Sequence, residues 1–349
     1  MTKNFLTYFL LWILIQLLIR GNCQSYYIFF PMKRHDHTAT IIDNKLYILG
    51  GSGYNGDHEF FYLDVSKKFN TKNLLWKDLS YNNIVPSHYG ATSVVGGVNN
   101  NTLFLYGVYN SAMALVYTFD PKYNKWDNPQ IIGDNTIRKQ FLTGVIANNG
   151  KMYLFGKTLP NGLVFNDYSI DMDMLILDTI NLNWEKGSLF NAPTGRGDYG
   201  ATLLPNQIIL YIGRFDIEGE SAFRRIYLYD TIHNSWSKKL TSGDIVPSNR
   251  DFFSVVLGLD GNSVIMFGGR GKTNLPKTDA LYVLNTINFN WYIPKVTGDI
   301  PRSRFWHKAN VMDNYMLISF GCCYNRQDES DILLLDISDN KEFKWVTEN

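Results

Sequence analysis

Five arginines, Arg34, Arg138, Arg196, Arg250 and Arg304, recur along the chain, with Pro86 filling the second place of the series, at spacings of 52, 52, 58, 54 and 54 residues. A guanidinium presents five donors in a planar fork, so a ring of arginines can grip carboxylates bidentately and act as a receptor for an acidic peptide or glycan. The same donors can instead bond the carbonyls of neighbouring loops, and a residue repeated along one chain is best explained by a task common to every repeat. The two uses coexist where each arginine commits only some of its donors to the scaffold. Three residues after each member stand His37, Tyr89, Phe141, Tyr199, Phe253 and His307. His35 and His37 would share one face of a strand and could bind a metal ion there, but the recurrence of the His37 position reads as packing, and no metal is expected. Asp171 and Asp173 alternate with apolar residues and are expected to face solvent from a strand edge, not to pair for acid–base work. Cys322 and Cys323 are adjacent in sequence. A bond between neighbours about 3.8 Å apart would be strained and easily reduced, so two small strand-end residues are the preferred reading over a redox pair. Nucleophile elbows, phosphate loops, zinc-protease motifs and calcium loops do not occur in the sequence, so no catalytic residue, no cofactor and no enzymatic activity are expected.

Residues that recognise a particular partner should differ from repeat to repeat, and the segments after each glycine-ended run do so. They carry Tyr54 and His58, then Tyr109, Phe165, then Phe215, Glu218 and Phe223, then Arg270 and Lys272, and last Tyr324 and Arg326. Tyrosine, phenylalanine and arginine on loops have the composition of interface anchors. Together with the recurring arginines they form the candidate binding surface.

The elements that must position these residues come in six copies. Trp76, Trp126, Trp184, Trp236, Trp291 and Trp345 are separated by 50, 58, 52, 55 and 54 residues. Upstream of each lies an apolar run ending in glycine, as in Leu46 to Gly50 or Val264 to Gly268, and then a second run closed by Asp or Asn, as in Tyr62-Leu63-Asp64. Polar turns such as Asp43-Asn44-Lys45 link the arginine-led segment to the glycine run, as tight hairpins require. Each copy is therefore four short antiparallel strands. One such sheet cannot bury both faces, so six pack face to face and close radially into a propeller. The expected class is all-β, with blades at about 31–80, 81–130, 131–188, 189–241, 242–296 and 297–349.

This pattern of apolar run, Gly50-Gly51 or Gly268-Gly269, Tyr-x-x-Asp and trailing Trp resembles the kelch repeat, with its Arg-x-x-His opening intact in Arg34 to His37 and Arg304 to His307. The second glycine is expected to be replaced by Val108, Lys157, Arg214 and Cys322 in the other four copies. The likeness implies a six-bladed propeller that binds protein partners. In similar propellers an amino-terminal strand completes the last blade, so Tyr26-Tyr27-Ile28-Phe29 is expected to pair at blade six. Galactose oxidase, a copper enzyme, shares the fold type, but no residue here maps onto its copper ligands. The alternatives are thus a galactose oxidase-like or other carbohydrate-active propeller, or a lectin-like glycan-binding module.

Composition agrees with this reading. Among 349 residues, Lys+Arg 33 against Asp+Glu 32 leaves a net charge of +1, which argues against a nucleic-acid partner. A 45% hydrophobic and 19% charged chain lies far from the disordered regime, and 15% aromatic residues favour strands. Residues 1–23 read as a signal peptide, basic at Lys3, apolar from Phe5 to Ile19, and small at Gly21 and Cys23 before Gln24. The expected product is residues 24–349, secreted, monomeric and without a membrane span, with a glycosylation sequon at Asn100-Asn101-Thr102.

Overall fold

The computed structural model describes residues 8, 12, 28–53, 58–107, 114–133, 137–157, 172–194, 198–213, 222–243, 245–273, 275–322 and 329–349. The chain divides into two compact units, Met1–Phe30 and Pro31–Asn349, and the second carries all the strands named below. The expected signal segment lies almost wholly outside the described residues. No helix among the described residues is long and apolar enough to cross a membrane.

Six sheets follow one another along the chain, each a meander of four antiparallel strands, so the six-bladed propeller stands. The inner strands are Thr38–Ile42, Thr92–Gly96, Val145–Ile146, Gly200–Leu203, Ser254–Leu257 and Lys308–Met312. Second strands such as Ile208–Ile212 and Ser263–Phe267 read as near-continuous apolar runs because both of their faces are covered by neighbouring blades. Asp43 and Asn44, at φ 48° and 56°, make the two-residue turn that fixes the register Ile42↔Lys45. The polar residue that closes each third strand acts as a turn former. Asp230 Oδ1, for example, accepts from the amides of Ile232 and His233 at 2.9 Å each.

The tryptophan period is an inter-blade contact. Each outer-strand Trp packs on an aromatic ring of the preceding blade: Trp126 on Phe60 at 5.0 Å, Trp184 on Tyr106 at 5.9 Å, Trp236 on Phe155 at 4.7 Å, Trp291 on Phe223 at 6.0 Å and Trp345 on Phe267 at 5.4 Å. Trp76 closes the circle on Phe320 of blade six at 5.7 Å. These pairs join blades that share no strands, which is why the spacing of Trp equals the spacing of blades.

A second device runs around the mouth of the channel. Asp36, Gly90, Phe141, Asp198, Phe252 and Trp306, one just before each inner strand, all have φ between 53° and 67°. Their backbones link blade to blade: Asp36 N donates to Trp306 O at 3.0 Å, Gly90 N to Asp36 O at 2.9 Å, Phe141 N to Gly90 O at 2.8 Å, Asp198 N to Phe141 O at 3.1 Å and Trp306 N to Phe252 O at 3.0 Å. This alignment corrects the sequence reading of two blades. The residue two before the left-handed position is Arg34, His88, Lys139, Arg196, Arg250 or Arg304, so His88 replaces Pro86 and Lys139 replaces Arg138 in the series. Tyr89 and Phe141 accordingly do not match His37; Ala91 and Leu142 do.

The glycine pairing is also corrected. Gly321 has φ 103°, like Gly51 at 101° and Gly269 at 103°, while Phe320 at 48° stands where Gly50 has 63°. The second glycine is therefore kept in blade six, and the first is the one replaced. Gly107 and Gly213 follow their strands directly, as Gly50 and Gly268 do, and the pairings Thr92↔Tyr106 and Gly200↔Ile212 put them at the first position, as the sequence reading has them. Gly51, Gly269 and Gly321 donate to the carbonyls of His88, Arg304 and Arg34 in the next blade, and a Cβ on them would press on the opening of their own blade, at His35 O, the Arg250 side chain and Phe305 O. Val108 and Arg214 lie outside the described residues, and Lys157 continues the strand Lys151–Lys157.

Among the described residues, blade six draws its four strands from its own repeat, and the fifth place in its sheet is taken by Lys295–Thr297, parallel to Glu342–Val346. Of the expected amino-terminal strand, Tyr26 and Tyr27 lie outside the described residues. The same parallel addition recurs as single bridges, Ile132↔Asn183 and Ser242↔Asn290, so it belongs to the repeat. Blades one and six meet instead through Thr71 N to Thr347 O at 2.8 Å, Gly321 N to Arg34 O at 3.0 Å and His37 Nε2 with Ser319 Oγ at 2.8 Å.

Candidate functional site

The recurring cations lie inside the blades. Arg34 and Arg250 are fully buried, and Arg304 is 6% exposed. Arg34 donates to Gly50 O at 2.9 Å and pairs with Glu59. Arg250 donates to Asp279 O at 2.6 Å and Asp279 Oδ2 at 3.1 Å, and Arg304 to Phe320 O at 3.0 Å and Asp331 Oδ1 at 2.8 Å. Each therefore ties the end of the second strand to the head of the third. Lys139 performs the task in blade three, bonding Leu154 O, Gly156 O and Asp173 O at 3.3, 2.9 and 2.6 Å. Burial pushes its ammonium down to about 7, and the nearby Asp173 opposes that shift. Arg138 is half-buried beside it, and Arg196 lies outside the described residues. The arrangement is the scaffold use of the series. The expectation of an acidic partner rested on an open ring of guanidiniums, which the three described members do not form.

What the mouth presents is an aromatic and charged cluster built between those cations and the inner strands. Arg270 is held to Asp251 by a bidentate pair, Nε to Oδ1 and Nη2 to Oδ2 at 3.0 Å each, and its side chain keeps 43% exposure. Its guanidinium lies 4.6 Å from the Phe252 ring and 5.5 Å from the Trp306 ring. His35 stacks on Trp306 at 4.8 Å, and Phe252 meets Trp306 at 5.0 Å. Tyr89, 37% exposed, and Phe141 extend the aromatic surface over blades two and three. Under it lies a cavity of about 40 Å³ lined by Asp36, Phe141, Asp198, Phe252, Trp306 and Lys308, among others.

Of the other sequence candidates, Tyr54, Tyr109, Phe165, Phe215, Tyr324 and Arg326 lie outside the described residues, as do Glu218 and Cys323. Arg270 is the loop candidate that the structure places in the cluster. Phe223 is core: it is fully buried, and its carbonyl accepts from Trp291 Nε1 at 3.0 Å. His35 and His37 do not share a strand face, because Asp36 between them takes φ 54°; His35 reaches the mouth while His37 is buried on Ser319. Cys322 is buried in a two-way backbone bridge with Phe305. Asn100 is exposed at the tip of the turn joining Thr92–Gly96 to Thr102–Tyr106. Asp251, Phe252 and Trp306 were missed because they fall inside the repeated opening and read as spacers. Trp306 did carry a signal, being off the tryptophan period.

Comparison with known proteins follows this geometry. The KLHDC2/KLHL20/DRC7 Kelch-repeats domain matches residues 27–157 and 198–348. The chain is similar to Kelch domain-containing protein 3 of Rattus norvegicus, 27% identical over 188 residues, covering 50% of this chain and 47% of that protein. It is also similar to Acyl-CoA-binding domain-containing protein 4 of Arabidopsis thaliana, 23% identical over 333 residues, covering 91% of this chain and 47% of that protein. The chain thus spans about half the length of these relatives. The solved structure of YjhT superposes with a TM-score of 0.67 at 16% identity, over 91% of this chain and 98% of that one, which speaks for the fold alone. With six copies of the repeat, the six-bladed ring and the family match in agreement, this chain belongs to the kelch-repeat propellers.

Proposed function

We propose that this protein is a secreted, non-enzymatic interaction module that binds a protein partner through the loop face at the mouth of its channel. Kelch propellers typically serve as protein-interaction modules, which supports the class of function. The observation that carries the site is the Arg270 cluster. A half-exposed guanidinium held by Asp251 and lying against the Phe252 and Trp306 rings is a rigid anchor of the kind found at the centre of protein interfaces. Its rotamers are already restricted, so little further entropy is lost when a partner docks. The secretory reading rests on the amino-terminal sequence and the exposed Asn100 sequon, and glycosidase treatment of the secreted protein tests both together.

Capture from extracellular and cell-surface extracts, using residues 24–349 beside the double variant Asp251→Asn, Arg270→Gln, which removes both charges of the pair together, tests the site. The expected result is a protein partner held by the native chain and lost by the variant at equal thermal stability. A partner displaced by free glycans would favour the lectin-like alternative, and stoichiometric copper or iron in the purified chain would revive the enzyme reading.

A further inference from the structure

Blade four has the longest outer strand of the ring. Ser235–Leu240 runs for six residues, against three to five in the other blades. In blades three, five and six the chain arriving from the preceding blade pairs with the outer strand: Lys295–Thr297 lies along blade six, and single parallel bridges join Ile132 to Asn183 and Ser242 to Asn290. In blade four that chain reaches only the base of the strand, and by bonds to side chains. Ser188 N donates to Asn234 Oδ1 at 2.7 Å, and Trp236 Nε1 donates to Ser188 O at 2.8 Å. Among the described residues, no backbone group pairs with the outer edge beyond that point.

The register shows what that edge offers. Thr241 N donates to Arg224 O at 2.8 Å, so Arg224 and Thr241 form a hydrogen-bonded pair just past the end of the ladder. The alternation of an antiparallel pair then turns the amides and carbonyls of Trp236, Lys238 and Leu240 outward. Lys238 and Leu240 share the face of Trp236, while Lys239 lies on the other. Both lysines, Leu240 and Arg224 are exposed, Leu240 at 72%. Lys238, Lys239 and Arg224 have no ion-pair partner among the described residues. The one carboxylate of this hairpin, Asp230, stands at its far end and is committed to His233 at 2.8 Å. Open backbone is thus joined to a local positive charge, which repels a second copy laid strand to strand and attracts a strand that carries carboxylates.

We infer that blade four accepts an extended acidic peptide of a partner protein as a fifth strand on Ser235–Leu240. Backbone hydrogen bonds to Lys238 and Leu240 supply the pairing, and the side chains supply the selection. Carboxylates at two successive peptide positions lie one on each face, beside Lys238 and Lys239, and an apolar residue next to them covers Leu240. Blade six holds the template within the same chain: Lys295–Thr297 occupies the corresponding place on Glu342–Val346, with Lys295 Nζ on Glu342 Oε2 at 2.5 Å across the two strands. The site is independent of the loop-face reading, since none of its residues belongs to the Arg270 cluster.

The test is a fluorescence anisotropy titration of the full chain against a labelled, end-capped peptide, Thr-Val-Glu-Glu-Val-Thr, whose side chains read the same in either strand direction. At low ionic strength the native protein is expected to bind it, to lose affinity as salt rises, and not to bind Thr-Val-Lys-Lys-Val-Thr. Methylating both glutamate amides, which point to opposite edges of the peptide, keeps the charge and blocks the pairing, and is expected to weaken binding by about tenfold or more. The double variant Lys238→Glu, Lys239→Glu, altered only at exposed positions and expected to melt with the native chain, should lose the glutamate peptide and take the lysine one. No binding of the glutamate peptide, equal affinity for its methylated form, or an unchanged peptide preference in the variant overturns the inference. So does a native dimer in sedimentation velocity that the glutamate peptide disperses, because the edge then belongs to a second copy.

Discussion

At the residue scale, the buried cations show how one chemical pattern can carry two readings that only geometry separates. The sequence shows five guanidiniums in near-register; it does not show that Arg250 has both a backbone carbonyl and the Asp279 carboxylate within reach. Removing one partner of such a buried pair strands the other, so Arg250→Met is expected to lower unfolding free energy by about 3–5 kcal/mol in a denaturant titration. The buried imidazoles give a pH signature. Burial holds His307 down to about 3 and His37 well below its usual 6.5. Above pH 6.5 both are neutral in folded and unfolded chain and their contribution is whole. As pH falls from 6.5 toward 3, the unfolded chain takes protons that the folded one refuses. Stability is then lost at up to about 1.4 kcal/mol per pH unit for each histidine. His307→Phe, the residue at Phe253 of the preceding blade, is expected to flatten this slope in melts between pH 6.5 and 4, although it leaves Ser254 without its partner.

At the element scale, the blades were legible because their determinants are local. Apolar runs of five, turn-forming Asp or Asn and a Trp per copy each report on one strand or one turn, and the structure adds that the Trp also reports on the neighbouring blade. Trp236→Ala removes contacts with Phe155 of blade three and with Tyr211 and Tyr229 of its own, and is expected to cost about 3–5 kcal/mol. Less legible was register where the opening departs from Arg-x-x-His. Lys139 was hidden behind its neighbour Arg138, and the left-handed backbone at Phe141 or Trp306 has no marker in residue type, since bulky side chains rarely adopt it. Ring closure was illegible for a related reason: Lys295–Thr297 adds to the last sheet through backbone pairing, which leaves little trace in sequence. Because blade six is complete from its own repeat, deletion of residues 1–30 is expected to leave the melting temperature unchanged, and a clear drop would show that the amino terminus contributes to closure after all.

At the scale of the whole molecule, the ring separates two tasks that the sequence superimposes. Cations buried behind the mouth brace the strands, while the residues between them and the inner strands, His35, Asp251, Phe252 and Trp306, are turned outward by the left-handed turns and meet Arg270 from the adjoining loop. The most direct test pairs Arg250→Met with the double variant Asp251→Asn, Arg270→Gln, reading melting temperature and partner capture on both. The account predicts that Arg250→Met melts well below the native protein, whereas the double variant, which removes both charges of its pair together and strands neither, melts with it and loses the partner. Native-like stability in Arg250→Met, or undiminished capture by the double variant, would contradict it.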